Sequence, residues 1–272
     1  MLPRADFPDP LVQERRRRTR TYFSGHLRRP WVIVTAIVAC ALAFVHPALV
    51  PVAWVVMLIV AWSLAQRRAQ REWWQLLGDR FHMHDTADAD LLPATPLLRS
   101  GDEREVVRGL EDASRRLAQF RSTDVRRDDE GTHRTHHDYT VVFSVDATAS
   151  IRFLSAHEHR WSPVKWLGDD HRGRFPRDVD DFRCESVELH EQYELRSSNE
   201  DETQARRVFS PTFMVWFTRQ GLPFEYEAGS LVVFVDRVLD HAEEYRVLLQ
   251  RAQIIRDQIA GRQPDLGAVT GV

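Results

Sequence analysis

From Trp31 to Ala65 the chain runs for 35 residues without one Asp, Glu, Lys or Arg. A single helix of that length would measure about 52 Å, against a hydrocarbon core of roughly 30 Å. Pro47 and Pro51 also fall near its middle. The spacing therefore predicts two apolar arms, Trp31–Val45 and Ala48–Ala65, folded back at His46-Pro47. The arms would measure about 22 and 27 Å. The first gains length if its helix starts near Gly25, with Arg28 and Arg29 snorkelling to the headgroups. A spanning hairpin is the expectation. The shortness of the arms makes a hairpin dipping into one leaflet its rival.

Charge sets the orientation. Residues 1–30 hold eight Arg against Asp6, Asp9 and Glu14, a balance of +5. The apolar run adds nothing, so residues 66–272 carry −8 of the overall −3. Arg67, Arg68 and Arg71 follow the second arm and the turn has no cation, which places both flanks, and both termini, on the cytoplasmic side of an inner membrane. The acidic remainder argues against nucleic acid as a partner. A lone lysine, Lys165, against 36 Arg reads as codon bias of a GC-rich bacterial genome. Cys40 and Cys184 lie too far apart in character to suggest a disulfide framework. "IVAC" at 37–40 and "RR" at 28–29 imitate export signals, but a second apolar arm rather than polar mature chain follows them.

Beyond the run, "AQRRAQREWWQLLGDR" (Ala65–Arg80) continues the second helix into the interface, with Trp73 and Trp74 either at the boundary or packed on the folded domain, and Gly78 as its stop. Asp85–Asp102 reads as a linker. A helix is expected over roughly Asp102–Phe120, since Val106, Leu110, Ala113, Leu117 and Phe120 recur at three- and four-residue steps. "RRDDEGTH" reads as a loop. "YTVVFSV" and "SIRFLS" read as a hairpin across Asp146–Ala149, residues 161–183 as a long polar loop carrying Trp161 and Trp166, and "ESVELHEQYELR" as a strand. "SPTFMVWFTRQG" is a buried helix with Ser210 as cap, Pro211 first and Gly221 as stop. "FEYEAGSLVVFV" is a hairpin turning at Ala228–Gly229, and Arg237–Ala260 a long amphipathic helix. The organisation that results is a basic tail (1–30), a transmembrane hairpin (31–65), a juxtamembrane helix and linker (66–99), an α+β domain (100–262) with an antiparallel sheet and helices on one face, and a frayed tail (263–272).

"QARRVFSPTFM" (Gln204–Met214), then "PFEYEAGSLVVFV" and a long helix, all behind a two-helix apolar hairpin, resembles bacterial membrane proteins of unknown function. The likeness spans about 50 residues of short apolar text. It implies the order tail, hairpin, cytoplasmic α+β domain, and it brings no activity and no functional residues.

Candidate chemistry is confined to histidines. His157 and His159, like His82 and His84, stand two apart; on a strand each pair would share a face and reach one metal ion. "HRTHHD" adds His133, His136 and His137. None has the i, i+4 helical spacing of a zinc motif, and no cysteine pair assists, so solvated loop histidines are the plainer reading. Asp169-Asp170 and Asp180-Asp181 lie among arginines as ordinary solvated charge. No phosphate loop and no G-x-S-x-G elbow occurs, and Cys184 reads as a structural thiol. No cofactor is expected. The sequence thus points to a membrane-anchored, non-enzymatic binding or scaffolding module whose partners are the bilayer and a protein. A histidine-based metal enzyme and a lipid or small-molecule sensor are the alternatives.

Overall fold

The computed structural model describes residues 17, 19–23, 49–86, 91, 94–128, 131–145, 150–159 and 175–267. The first apolar arm, the turn at His46-Pro47, most of the basic tail, Cys40, the centre of the 161–183 loop with both its tryptophans, and the last five residues lie outside them. The chain divides into two compact units, Ala5–His82 and a second from Met83 onward.

In the first unit, helix α1 runs unbroken over Leu49–Phe81. It passes straight through Gly78, which was expected to stop it. The stop is His82, whose φ of 55° puts a non-glycine residue in the left-handed region. Helices often end this way, usually with Gly or Asn. Met57, Ala61, Ala65 and Ala69 recur every fourth residue as a buried face, and Trp73 and Trp74 are buried too. A short helical stretch at 19–23 packs on α1. The Phe23 and Trp62 rings meet edge-on at 5.4 Å, and Arg68 lies 4.5 Å over the Tyr22 ring. Tyr22 Oη also donates to Glu72. Among the described residues no helix is long and apolar enough to cross a membrane.

The second unit is α+β. Its nine strands are β1 (His84–Asp85), β2 (Glu103–Glu111), β3 (Arg115–Asp128), β4 (Gly131–Val145), β5 (Phe153–Glu158), β6 (Val179–Asp181), β7 (Tyr193–Ser198), β8 (Phe224–Glu227) and β9 (Ser230–Val235). They form one antiparallel sheet in the order β1-β2-β3-β4-β9-β8-β5-β7-β6. The helices are α2 (Pro96–Arg99), α3 (Val187–Gln192), α4 (Glu202–Val208), α5 (Pro211–Gln220) and α6 (Ala242–Ile259).

Several expectations are corrected. The stretch "RRDDEGTH", expected to be a loop, is mostly strand: Arg126 to Asp128 end β3 and Gly131 to His133 open β4. The stretch Asp102–Phe120 is no helix but the hairpin β2–β3. A β-bulge between Val106 and Arg108 shifts the register, so Val106, opposite Phe120, and Leu110, opposite Leu117, are four apart yet face opposite ways. That spacing imitates a helical period. The turn is set by Asp112, whose Oδ1 accepts the N–H groups of Ser114 (2.7 Å) and Arg115 (3.0 Å). Such local capping makes Asp a turn residue.

β5 does not pair with β4. The hairpin β8–β9 inserts between them, β9 on β4 and β8 on β5. "ESVELHEQ" is not the start of a strand. Ser186 Oγ accepts the Leu189 N–H at 3.2 Å and starts α3, and the strand begins only at Tyr193. Finally, the end of the supposed linker is packed structure, and the helices do not all lie on one face as expected: Leu97 and Leu98 of α2 are buried in a cluster with Phe120, Val141, Phe143 and Phe234, on the face opposite α5 and α6.

The C-terminal third follows its punctuation. α5 occupies Pro211–Gln220 with Pro first, though Ser210 makes no side-chain cap, and only Val215 of its apolar run is exposed. Gly221 is required there, since a Cβ would meet the Phe217 carbonyl oxygen at 2.4 Å. The β8–β9 turn falls at Ala228–Gly229, both with positive φ, as a type I′ turn demands. α6 starts at Ala242, five residues later than expected. Buried Glu244 fixes that start by accepting the His241 N–H at 3.3 Å and pairing with Arg237 at 2.7 Å.

Candidate functional site

Side chains alternate across a strand, so β8 presents Phe224 and Tyr226 to one face and Glu225 and Glu227 to the other. The first face carries α5, with Phe217 5.8 Å from Phe224 and 4.8 Å from Tyr193. It also carries α6, whose Tyr245 Oη accepts from Gln119 and donates to the Leu239 carbonyl. On the opposite face the candidate site is built around Glu225, whose side chain is 2% exposed.

Glu225 Oε2 accepts the Leu97 N–H at 2.7 Å. This carboxylate therefore occupies the place at the start of α2 where the Thr95 hydroxyl would ordinarily cap. Its other oxygen lies 3.2 Å from His157 Nε2. Ser155 is the register partner of Glu225, and His157 stands two residues further along β5 on the same face. The His157 ring packs between Phe175 (6.1 Å) and Phe234 (5.7 Å). Arg196 lies 4.6 Å over Phe175 and pairs with Asp181 at 2.9 Å. Ser155 Oγ and Thr95 Oγ1 are buried without a hydrogen-bond partner among the described residues.

Ser155, His157 and Glu225 are the residue types of a hydrolytic triad, but not its geometry. A triad needs the nucleophile bonded to the base. Ser155 makes no bond to His157 and is fully buried. The arrangement is a buried polar node that clips α2 to the sheet. His157 is thus no solvated loop residue. The strand places it beside the carboxylate opposite Ser155 and between two aromatic rings.

The other histidines do not join it. His159 falls past the end of β5, so strand alternation no longer applies, and its Nε2 contacts the His190 carbonyl at 2.8 Å. His82 ends a helix and His84 opens a strand, so neither pair shares one strand. His136 Nδ1 meets Thr123 Oγ1 at 2.9 Å, and His137 lies 3.4 Å from Asp124. Among the described residues no group of three or more His, Cys, Asp or Glu is placed to hold a metal ion.

Burial pushes the half-buried Cys184 thiol up to about 11, against a smaller opposing pull from Arg206, which leaves it a poor nucleophile. Its N–H donates to His190 Nε2 at 2.8 Å. Burial and the nearby Arg183 hold the His190 imidazole below its ordinary value.

Sequence reasoning missed Glu225. Read as one of two acids in "FEYE", it looks like the wet side of an amphipathic strand. Only the packing of α2 on that side reveals it as buried. No family model, no curated protein and no solved structure matches this chain.

Proposed function

We propose that the protein is a membrane-anchored binding or scaffolding module. An N-terminal helical hairpin holds it in the inner membrane of a bacterium, with both termini and the α+β domain on the cytoplasmic side. One observation carries the reading: Trp54, Val55, Val56, Leu58, Ile59, Val60, Trp62 and Leu64, all in the first half of α1, are large apolar side chains left exposed. A continuous bare surface of that kind is costly in water and suits lipid. Arg67, Arg68 and Arg71 follow it at once, where anionic headgroups attract cations.

Two further features support a hairpin. Phe23 lies beside Trp62, while α1 begins at Leu49. Those two points stand roughly 20 Å apart along the apolar half of α1. The buried Ala61, Ala65 and Ala69 also form the small-residue face that lets two membrane helices approach closely.

A protein partner for the α+β domain completes the proposal. Fusions of a reporter active only outside the cytoplasm should stay silent at either terminus, and the protein should resist alkaline extraction from membranes. Reporter activity at the C-terminus, or release into the alkaline supernatant, refutes the anchor.

A further inference from the structure

On α1 the bare apolar residues and two of the arginines share one stripe. A helix turns by about 100° per residue, so Val56, Val60, Leu64, Arg67 and Arg71 fall within an arc of about 80°. All five side chains are exposed. Ala65 and Ala69, which are buried, lie about 160° from Arg67, on the far side of the helix. Within one turn the stripe passes from an apolar row to a pair of cations.

The three arginines at this level are not equivalent. Arg68 Nε lies 3.3 Å from Glu72 Oε1, and its guanidinium sits 4.5 Å over the Tyr22 ring. Tyr22 Oη donates to the other oxygen of the same carboxylate. Glu72 is the one acid of α1 before Asp79, and this clasp uses both of its oxygens. The side chains of Arg67 and Arg71 have no partner among the described residues. They stand four apart, with Cβ atoms about 5–6 Å from each other, so both guanidinium groups reach one common anion. Like charges at this spacing weaken a helix, and an anion between them reverses the effect.

We propose that this stripe binds an anionic phospholipid, its phosphate between Arg67 and Arg71 and an acyl chain along Leu64, Val60 and Val56. The site rests on the reading of α1 as a membrane helix. From Val56 to Arg67 the stripe rises about 16 Å, which matches the roughly 15 Å depth of one leaflet. The apolar row is what selects a lipid over a free phosphate. A headgroup of net negative charge is preferred over one that carries its own ammonium.

The test uses the full-length protein reconstituted in phosphatidylcholine vesicles with a trace of spin-labelled phosphatidylglycerol or spin-labelled phosphatidylcholine. Flotation of the vesicles reports the anchor, and the immobilised part of the spectrum reports lipid held by the protein. The wild type should float and should hold phosphatidylglycerol in preference, by about fivefold for each of the two arginines. Arg67→Gln combined with Arg71→Gln should float and show no preference. Arg71→Gln alone should lose about fivefold, whereas Arg68→Gln, which removes the same single charge, should keep more than half of the preference. Protein that does not float overturns the anchor and this site with it. Protein that floats without preferring phosphatidylglycerol overturns the site alone. So does an Arg68→Gln variant that loses as much as Arg71→Gln, since that is the mark of diffuse surface charge. Displacement of the labelled lipid by sodium phosphate beyond sodium chloride of equal ionic strength overturns it too, in favour of a free anion.

Discussion

On one side of the sheet, two helices bury a continuous set of aromatic rings: Phe209, Phe213 and Phe217 of the α5 region meet one another at 5.6–5.7 Å and reach Phe224 of β8. On the other side, the cover around α2 is a strap of seven residues, 94–100, far too short to hold itself by area. It is fastened by directed bonds. Glu225 takes the Leu97 N–H, Arg99 makes two bonds to Glu227 at 3.1 and 2.7 Å, and the Ser122 hydroxyl donates to the Ser100 carbonyl at 3.0 Å. Gly101 then turns away with φ 80°, so close to β3 that a Cβ would sit 2.2 Å from Ser122 Oγ. Apolar burial is non-directional and tolerates adjustment; a strap held by charged hydrogen bonds fails when one partner is lost.

The largest effect should come from the helical side. Phe213 is buried among Phe209, Trp216 and Phe217, and Phe213→Ala should cost about 3–5 kcal/mol. Chemical denaturation should show the whole domain losing stability together. A midpoint within error of the wild type would mean that α5 is not part of the cooperative unit.

Next comes the strap. Glu225→Ala removes an acceptor from a buried N–H and a partner from His157, and should cost about 2–4 kcal/mol. The loss should be local first. Hydrogen exchange at the Leu97 amide should accelerate strongly while the α5 amides stay protected. Equal acceleration on both faces would erase the distinction between them. His157→Ala should follow at about 1–2 kcal/mol, since the Leu97 bond to Glu225 survives. His159→Ala should stay within about 0.5 kcal/mol, because that side chain is exposed.

The same contrast explains what the sequence disclosed. α5, the β8–β9 hairpin and most of α6 were legible because Pro211, Gly221 and the Ala228–Gly229 pair mark their ends, and their apolar residues face one way. The strap and the β2–β3 hairpin were not. A four-residue helix has no period to detect, and the bulge at Val106–Arg108 gave β2 a false one. The position of β5 depended on a hairpin about seventy residues later in the chain, a non-local fact that no local pattern carries. Glu225 and Arg251, the latter buried on α6, share this blindness. Each is a charged residue on an apparently ordinary element, and only the tertiary cover makes it buried.

In the β2–β3 turn, Asp112 tests how much one carboxylate's local bonds matter. Burial pulls its carboxyl upward, but the bonds from the Ser114 N–H, Arg115 and the Ser114 hydroxyl outweigh it and leave the group below its ordinary value. A depressed carboxylate stabilises the fold above its unfolded pKa, and that contribution is lost as pH falls through the folded value. Asp112→Ala should cost about 1–2 kcal/mol near neutrality. The gap between variant and wild type should close below about pH 4, where the carboxylate of the unfolded chain is protonated. A gap constant from neutral to acid pH would show that the turn is held by backbone shape and not by this charge.

The last effect should be a small gain, and it should favour neither face. Ala228 is exposed and sits at φ 46°, a conformation that costs a non-glycine residue about 1–2 kcal/mol, less for Asn. Its N–H donates to the Arg152 carbonyl at 2.8 Å, a backbone bond that any non-proline residue keeps. Ala228→Asn would give the turn an Asn-Gly pair, the sequence that type I′ hairpins prefer. The variant should gain up to about 1 kcal/mol. Because β8 and β9 lie at the centre of the sheet and touch both covers, exchange should slow at Leu97 and in α5 by the same factor. Slowing on one side alone would mean that the two faces unfold as separate units even in the native protein, and that the strap and the helices are joined by less than the central hairpin suggests.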